Sequence, residues 1–209
     1  MIAMTNTQRS PRMKPTPLSR RALMIAAVVS IALVAGCAGP KTRYGDAGKV
    51  ETVTNTFGST DLQMLSEQMS QSMLAEAPAI AGGNLPIVTI QEVKNKTSEY
   101  IDTRAITNRM RATLQKSRRV RFAVDEVDMK KQTGELQRQD SEYYKKEKSA
   151  QMGEMIGAGF RVTGEITSIV KETKKVKDVY YQLFLSLTNI QTGIEEWSDT
   201  KEIRKTTEQ

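Results

Sequence analysis

The feature that most constrains the fold is a single cysteine at the end of an apolar run. Ala22 to Ala35 is apolar apart from Ser30, and it closes on Val34-Ala35-Gly36-Cys37. Ahead of it lie Arg9, Arg12, Lys14, Arg20 and Arg21 with no acidic residue, the basic region of an export signal. The run falls short of the roughly 20 apolar residues a membrane-spanning helix needs. Small residues at 35 and 36 can enter a signal-peptidase cleft, so cleavage is expected between Gly36 and Cys37, with lipid attached to the Cys37 thiol. Because Cys37 is the only cysteine, the fold must hold together without a disulfide. Ala38, where an aspartate would retain a lipoprotein in the inner membrane, points to the outer membrane. Ser19-Arg20-Arg21 also fits a twin-arginine signal, but ordinary basic leader residues account for it.

Composition narrows function once the leader is set aside. Its five basic residues leave 26 of the 31 against 24 acids, so the net charge of +7 falls to +2. That near-neutrality argues against a nucleic-acid partner. The chain contains no histidine, which removes the commonest general base and metal ligand. With Cys37 acylated, a Ser–His or Cys–His site is excluded, as is zinc bound through His or Cys. Neither a catalytic residue nor a metal or other cofactor is expected, and only carboxylate chemistry remains open to an enzyme.

Three segments are expected: a leader over 1–36, a flexible linker over 37–58 and a globular domain over 59–209. The domain should open with a helix over 61–75, capped through Thr60 and Gln63, with Leu62, Leu65, Met69 and Met73 on one face. A loop over 77–84 leads to a strand over 85–91, apolar on both faces. Asp102 is placed to cap a helix over 103–116 whose buried stripe is Ile106, Met110 and Leu114. Val120, Phe122 and Val124 alternate as a half-buried strand. A long polar helix is expected over 126–148, breaking near Thr133-Gly134, then a short one over 149–156. Strands over 160–171, 176–190 and 194–203 form an antiparallel meander. The class is α/β, a mixed and largely antiparallel sheet sandwiched by helices.

The block Gln182-Leu183-Phe184-Leu185-Ser186-Leu187, followed by Gln191-Thr192-Gly193 and Trp197-Ser198, resembles the LpoB family. Ile87-Val88 through Val93, Asn95-Lys96-Thr97 and Gly157-Ala158-Gly159-Phe160 extend the likeness. The resemblance implies a fold like the N-terminal domain of TolB, shared by the periplasmic part of the curli channel CsgG. It also implies an outer-membrane lipoprotein facing the periplasm that activates peptidoglycan synthesis by a class A penicillin-binding protein. One departure matters: the best-known members carry a long Pro-rich linker, whereas this one has about 20 residues and averages roughly 25 Å end to end as a coil. A structural or secretion-assembly role within the same fold is the alternative reading.

Two basic clusters are the candidate partner-binding residues. Lys116, Arg118, Arg119 and Arg121 bracket a helix-to-strand turn. Lys171, Lys174, Lys175 and Lys177 surround a hairpin tip. Either could meet an acidic protein surface, and either could be a solvated end or a charged guard against edge pairing.

Overall fold

A computed structural model describes residues 42–208; Gly36 and Cys37 lie outside the described residues. Residues 42–45 are exposed and without regular structure, and the folded unit begins at Asp46.

Helix α1, Ser59–Glu76, buries Leu65, Met69 and Met73, with Leu62 partly covered beside them. Its cap differs from expectation. Asp61 accepts the Gly58 N–H at 2.8 Å, while Thr60 instead accepts the Glu51 N–H at 2.7 Å. Buried Ser66 and Ser70 satisfy their hydroxyls on the Leu62 and Ser66 carbonyls one turn back. Pro78 holds Ala77 extended and ends the helix. The expected loop then contains a short helix α2, Pro78–Ala81, which buries Ile80.

Strand β1, Ile87–Ile90, buries Val88 and Ile90 and half-buries Ile87 and Thr89. Lys94–Lys96 forms β2, fully exposed and paired parallel with a later strand. Nothing in Lys-Asn-Lys marks a strand, because no apolar alternation accompanies it. Helix α3, Thr103–Lys116, has Asp102 accepting from the Arg104 and Ala105 N–H groups, and it buries Ile106, Met110 and Leu114. β3 covers only Arg121–Phe122; Val124 beyond it is exposed.

Helix α4, Glu126–Gln139, runs through Thr133-Gly134 without breaking and stops nine residues before the expected end at 148. A short 3-10 turn, Lys146–Lys148, follows. The expected helix over 149–156 does not form; that stretch is almost wholly exposed. Helices in proteins draw most of their stability from a buried face. Here Leu136 is the buried residue of α4, and the segment after it offers no such face.

The last third is β4, Phe160–Glu172, β5, Val176–Asn189, and β6, Glu195–Glu208. The sheet order is β3-β1-β4-β5-β6, with β2 also on β4. β1 is parallel to both its neighbours, and the β4–β5–β6 meander is antiparallel. The class is therefore the expected mixed, largely antiparallel sheet with helices. Val179, Tyr181, Leu183, Leu185 and Leu187 of β5 turn one face to the core, where α1 lies against α3 and β6. Gly164 marks close approach within the meander, since a Cβ there would meet the Phe184 carbonyl and the Leu185 side chain.

Residues 51–58 fall within the expected linker yet are tied to the domain. Glu51 accepts from Ser59, Phe57 N–H donates to Glu99 at 3.1 Å, and Lys205 Nζ reaches the Thr56 carbonyl at 2.8 Å. The Phe57 ring meets Tyr181 edge-on at 5.6 Å. The packed domain thus starts ahead of residue 59. No helix of the described residues is long and apolar enough to cross a membrane.

Candidate docking surfaces

Register places the first basic cluster on a rim formed by one end of the sheet. Arg121 pairs with Ile87, and its N–H bonds to the Pro86 carbonyl. Gly159 N–H bonds to Ile87, Ile190 N–H to Gly159, and Asn189 N–H to Ile194. At about 4.8 Å per strand the rim runs roughly 19 Å from β3 to β6. Alongside Arg118 and Arg121 it carries three exposed aliphatics, Leu85, Ile190 and Ile194.

Two backbone outliers sit on this rim. Leu85 and Arg118 have φ of 48° and 59°, and they are the non-glycine residues with positive φ among those described. Arg118 occupies the position after the α3 C-cap, where glycine is usual. A long cation is held there against conformational preference. Such outliers persist where the surroundings over-determine them and often mark functional ground. The members of the cluster are not equivalent. Lys116, Arg118 and Arg121 are exposed, but Arg119 is half-buried and donates Nη2 to the Ile80 carbonyl at 3.2 Å. Arg119 therefore fastens α2 to the end of α3.

The second cluster lies at the other end of β4. Its turn is closed by Thr173, whose N–H donates to Val176 and whose hydroxyl accepts from Lys175 and Val176. Lys171, Lys174 and Lys175 are exposed, and Lys177 lies 3.7 Å from Glu172. Twelve steps of β4 at roughly 3.3 Å separate tip from rim by about 40 Å. One flat contact cannot take in both clusters.

A third feature escaped the sequence reading. A cleft of about 370 Å³ opens at the carboxyl end of β1, lined by Thr89–Glu92, by Arg104, Thr107, Asn108 and Arg111 of α3, and by Asp125–Val127. Arg104 Nη2 stands 3.3 Å from Asp125 Oδ2. The Asp125 carboxyl is held below its ordinary range by the Asp128 N–H, aided by Arg104 and Arg111 and opposed by burial. Arg111 lies over the Phe122 ring at 5.6 Å, and its Nε is buried with no hydrogen-bond partner among the described residues. The available signal was the i, i+4, i+7 spacing of Arg104, Asn108 and Arg111.

The buried Asp61 and the half-buried Asp199 and Glu99 are structurally engaged. Asp61 pairs with Lys205 at 2.9 Å, and Asp199 with Lys201 at 2.7 Å and the Ser72 hydroxyl. Glu99 accepts from the Tyr181 hydroxyl, whose pKa is raised by burial and then by that carboxylate. Among the described residues no three His, Cys, Asp or Glu side chains gather as a metal site.

The family model described as peptidoglycan-synthase activator LpoB matches residues 61–203. Among solved structures, the LpoB C-terminal domain from Escherichia coli is 15% identical with a TM-score of 0.43, covering 68% of this chain and 98% of that one. The NMR structure of E. coli LpoB is 14% identical with a TM-score of 0.36, covering 98% and 91%. Lipoprotein GNA1162 from Neisseria meningitidis is 13% identical with a TM-score of 0.38, covering 58% and 84%. No curated protein matches the chain in sequence.

Proposed function

The chain belongs to the LpoB family of peptidoglycan-synthase activators, and on that premise we propose that it is a lipid-anchored protein of the outer membrane, facing the periplasm, that binds and stimulates a class A penicillin-binding protein. The observation that carries this reading is the match over 61–203, which takes in α1 through most of β6. Stimulation requires only that the domain bind the synthase's active conformation more tightly than its resting one.

The rim is the better candidate interface than the hairpin tip. Interfaces combine apolar anchors with guanidinium groups. The rim supplies both, whereas the tip is dominated by lysines, which are depleted in interfaces. Reach supports the same choice. Lipid on Cys37 would leave 37–45 as free tether, at most about 30 Å when extended. The strap 51–58 joins the sheet at the level of Tyr181, which pairs with Ser168. The rim lies eight β4 residues from that level, about 26 Å, whereas the hairpin tip lies four residues from it, about 13 Å.

The test is a binding titration of the mature chain against the periplasmic region of a class A penicillin-binding protein. Arg118→Glu with Arg121→Glu should weaken binding at least about tenfold, mostly through slower association at low salt. Unchanged affinity would remove the rim from the interface. Absence of binding by the unaltered chain would overturn the reading itself.

A further inference from the structure

The cleft at the carboxyl end of β1 lies outside both basic clusters. β1 runs to Ile90, but β3 accompanies it only to Val88, and the cross-strand bond there is from Ala123 N–H to the Val88 carbonyl at 3.0 Å. The main-chain groups of alternate residues face the same side of a strand. Val88 faces β3, so Ile90 faces the space that β3 has vacated, and Ile90 lines the cleft. The main-chain pair of one residue, Ile90, is thus left open at the sheet edge inside a walled groove, where an extended peptide can add by main-chain pairing.

The walls say what that peptide carries. Arg111 lines the cleft with its Nε buried and without a partner among the described residues, so a carboxylate entering the cleft meets the terminal guanidinium nitrogens. Arg104 already shares a carboxylate, that of Asp125, which is also engaged in capping α4. Glu92 and Glu126 are exposed, and Glu126 has Lys130 4.0 Å away. These three acids make a run of negative charge unwelcome in the groove, while a single carboxylate fits the arginines.

We propose that this cleft binds an extended segment of a partner protein, which lies as a short strand beside Thr89–Gln91 and sets one carboxylate on Arg111 and Arg104. The segment is flanked by β-forming residues and carries an isolated Asp or Glu. The proposal stands apart from synthase activation, and its test uses no synthase.

The test titrates the ¹⁵N-labelled mature chain, with Cys37→Ser so that no lipid is attached, with acetyl-Thr-Val-Asp-Val-Thr-amide and with its Asn counterpart. The Asp peptide should move the Ile90, Gln91 and Asn108 amides and the Arg111 Nε–H resonance, saturating with a Kd of about 1 mM or tighter. The Asn peptide should bind about tenfold more weakly, as a lost charge-assisted bond implies. Arg104→Gln and Arg111→Gln should each weaken the Asp peptide similarly, and Asp125→Asn, which keeps a cap on α4, should tighten it by freeing Arg104. If Arg111→Gln unfolds the chain by losing the Phe122 contact, Arg104→Gln carries the test. Equal affinity for the two peptides, shifts confined to residues outside the cleft, or no saturable shift would each overturn the proposal.

Discussion

Replacing Lys205 by methionine strips a buried carboxylate of its counter-ion. The Asp61 side chain is 6% exposed and that of Lys205 16%, with 2.9 Å between them. Removing one partner of a buried pair costs about 3–5 kcal/mol, because the other charge is left without compensation. Asp61 keeps the Gly58 N–H at 2.8 Å, which places Lys205→Met at the lower end, about 3 kcal/mol. For a domain of this size that lowers Tm by roughly 6–12 °C, read by circular dichroism on the mature chain. Adding Asp61→Asn removes the stranded charge and leaves an acceptor at the cap. The double variant should recover to within about 1 kcal/mol of the parent. A cost for Lys205→Met below about 1 kcal/mol, or a double variant no better than the single, would refute the claim that this pair staples α1 and the 51–58 strap to β6.

Further expectations concern the core, acid stability and the rim. Leu183 is wholly buried at the centre of β5, so Leu183→Ala should cost about 2–5 kcal/mol in urea unfolding. Burial alone would raise the Asp199 pKa, but Lys201, the Ser72 hydroxyl and the Thr200 N–H together hold it below the usual 3.8. A carboxyl depressed in the folded state contributes its stability above the unfolded value and loses it as pH falls through the folded one. Asp199→Asn should therefore lower stability at neutral pH and flatten its fall below about pH 4, measured by unfolding at a series of acid pH values. Arg118→Glu with Arg121→Glu should leave Tm within about 2 °C of the parent, since both side chains are exposed, whereas Arg119→Glu should lower it by breaking the bond to Ile80.

Strong periodicity made the core readable without a structure. The Ile106–Met110–Leu114 stripe, the Leu65–Met69–Met73 face and the alternation from Val179 to Leu187 all proved to be the buried set. The Asp102 cap was legible because one residue and its immediate neighbours fix it. What failed was structure set at long range. Lys94–Lys96 is a strand only because Glu165–Thr167 offers it a partner. Residues 140–156 have helix-compatible composition but no buried apolar face, so local propensity misled.

The candidate sites show the same division. Charge clusters could be seen in sequence, but not that β4 would hold them about 40 Å apart, nor that Arg119 would be spent on Ile80. The aliphatic half of the rim comes from two separate connections, Leu85 ahead of β1 and Ile190 with Ile194 in the β5–β6 turn, and the cleft from three segments joined through β1–β3 pairing. The 51–58 strap reads as linker because its two apolar residues, Val53 and Phe57, follow no helix or strand period. Its attachment depends on Glu99, Tyr181 and Lys205, far along the chain.

Synthase activation is tested most directly by the steady-state rate of glycan polymerisation by a purified class A penicillin-binding protein, with and without a saturating amount of the mature chain. The unaltered chain should raise the rate, and Arg118→Glu with Arg121→Glu should abolish that gain. Equal rates with and without the unaltered chain, at concentrations where binding is established, would contradict activation.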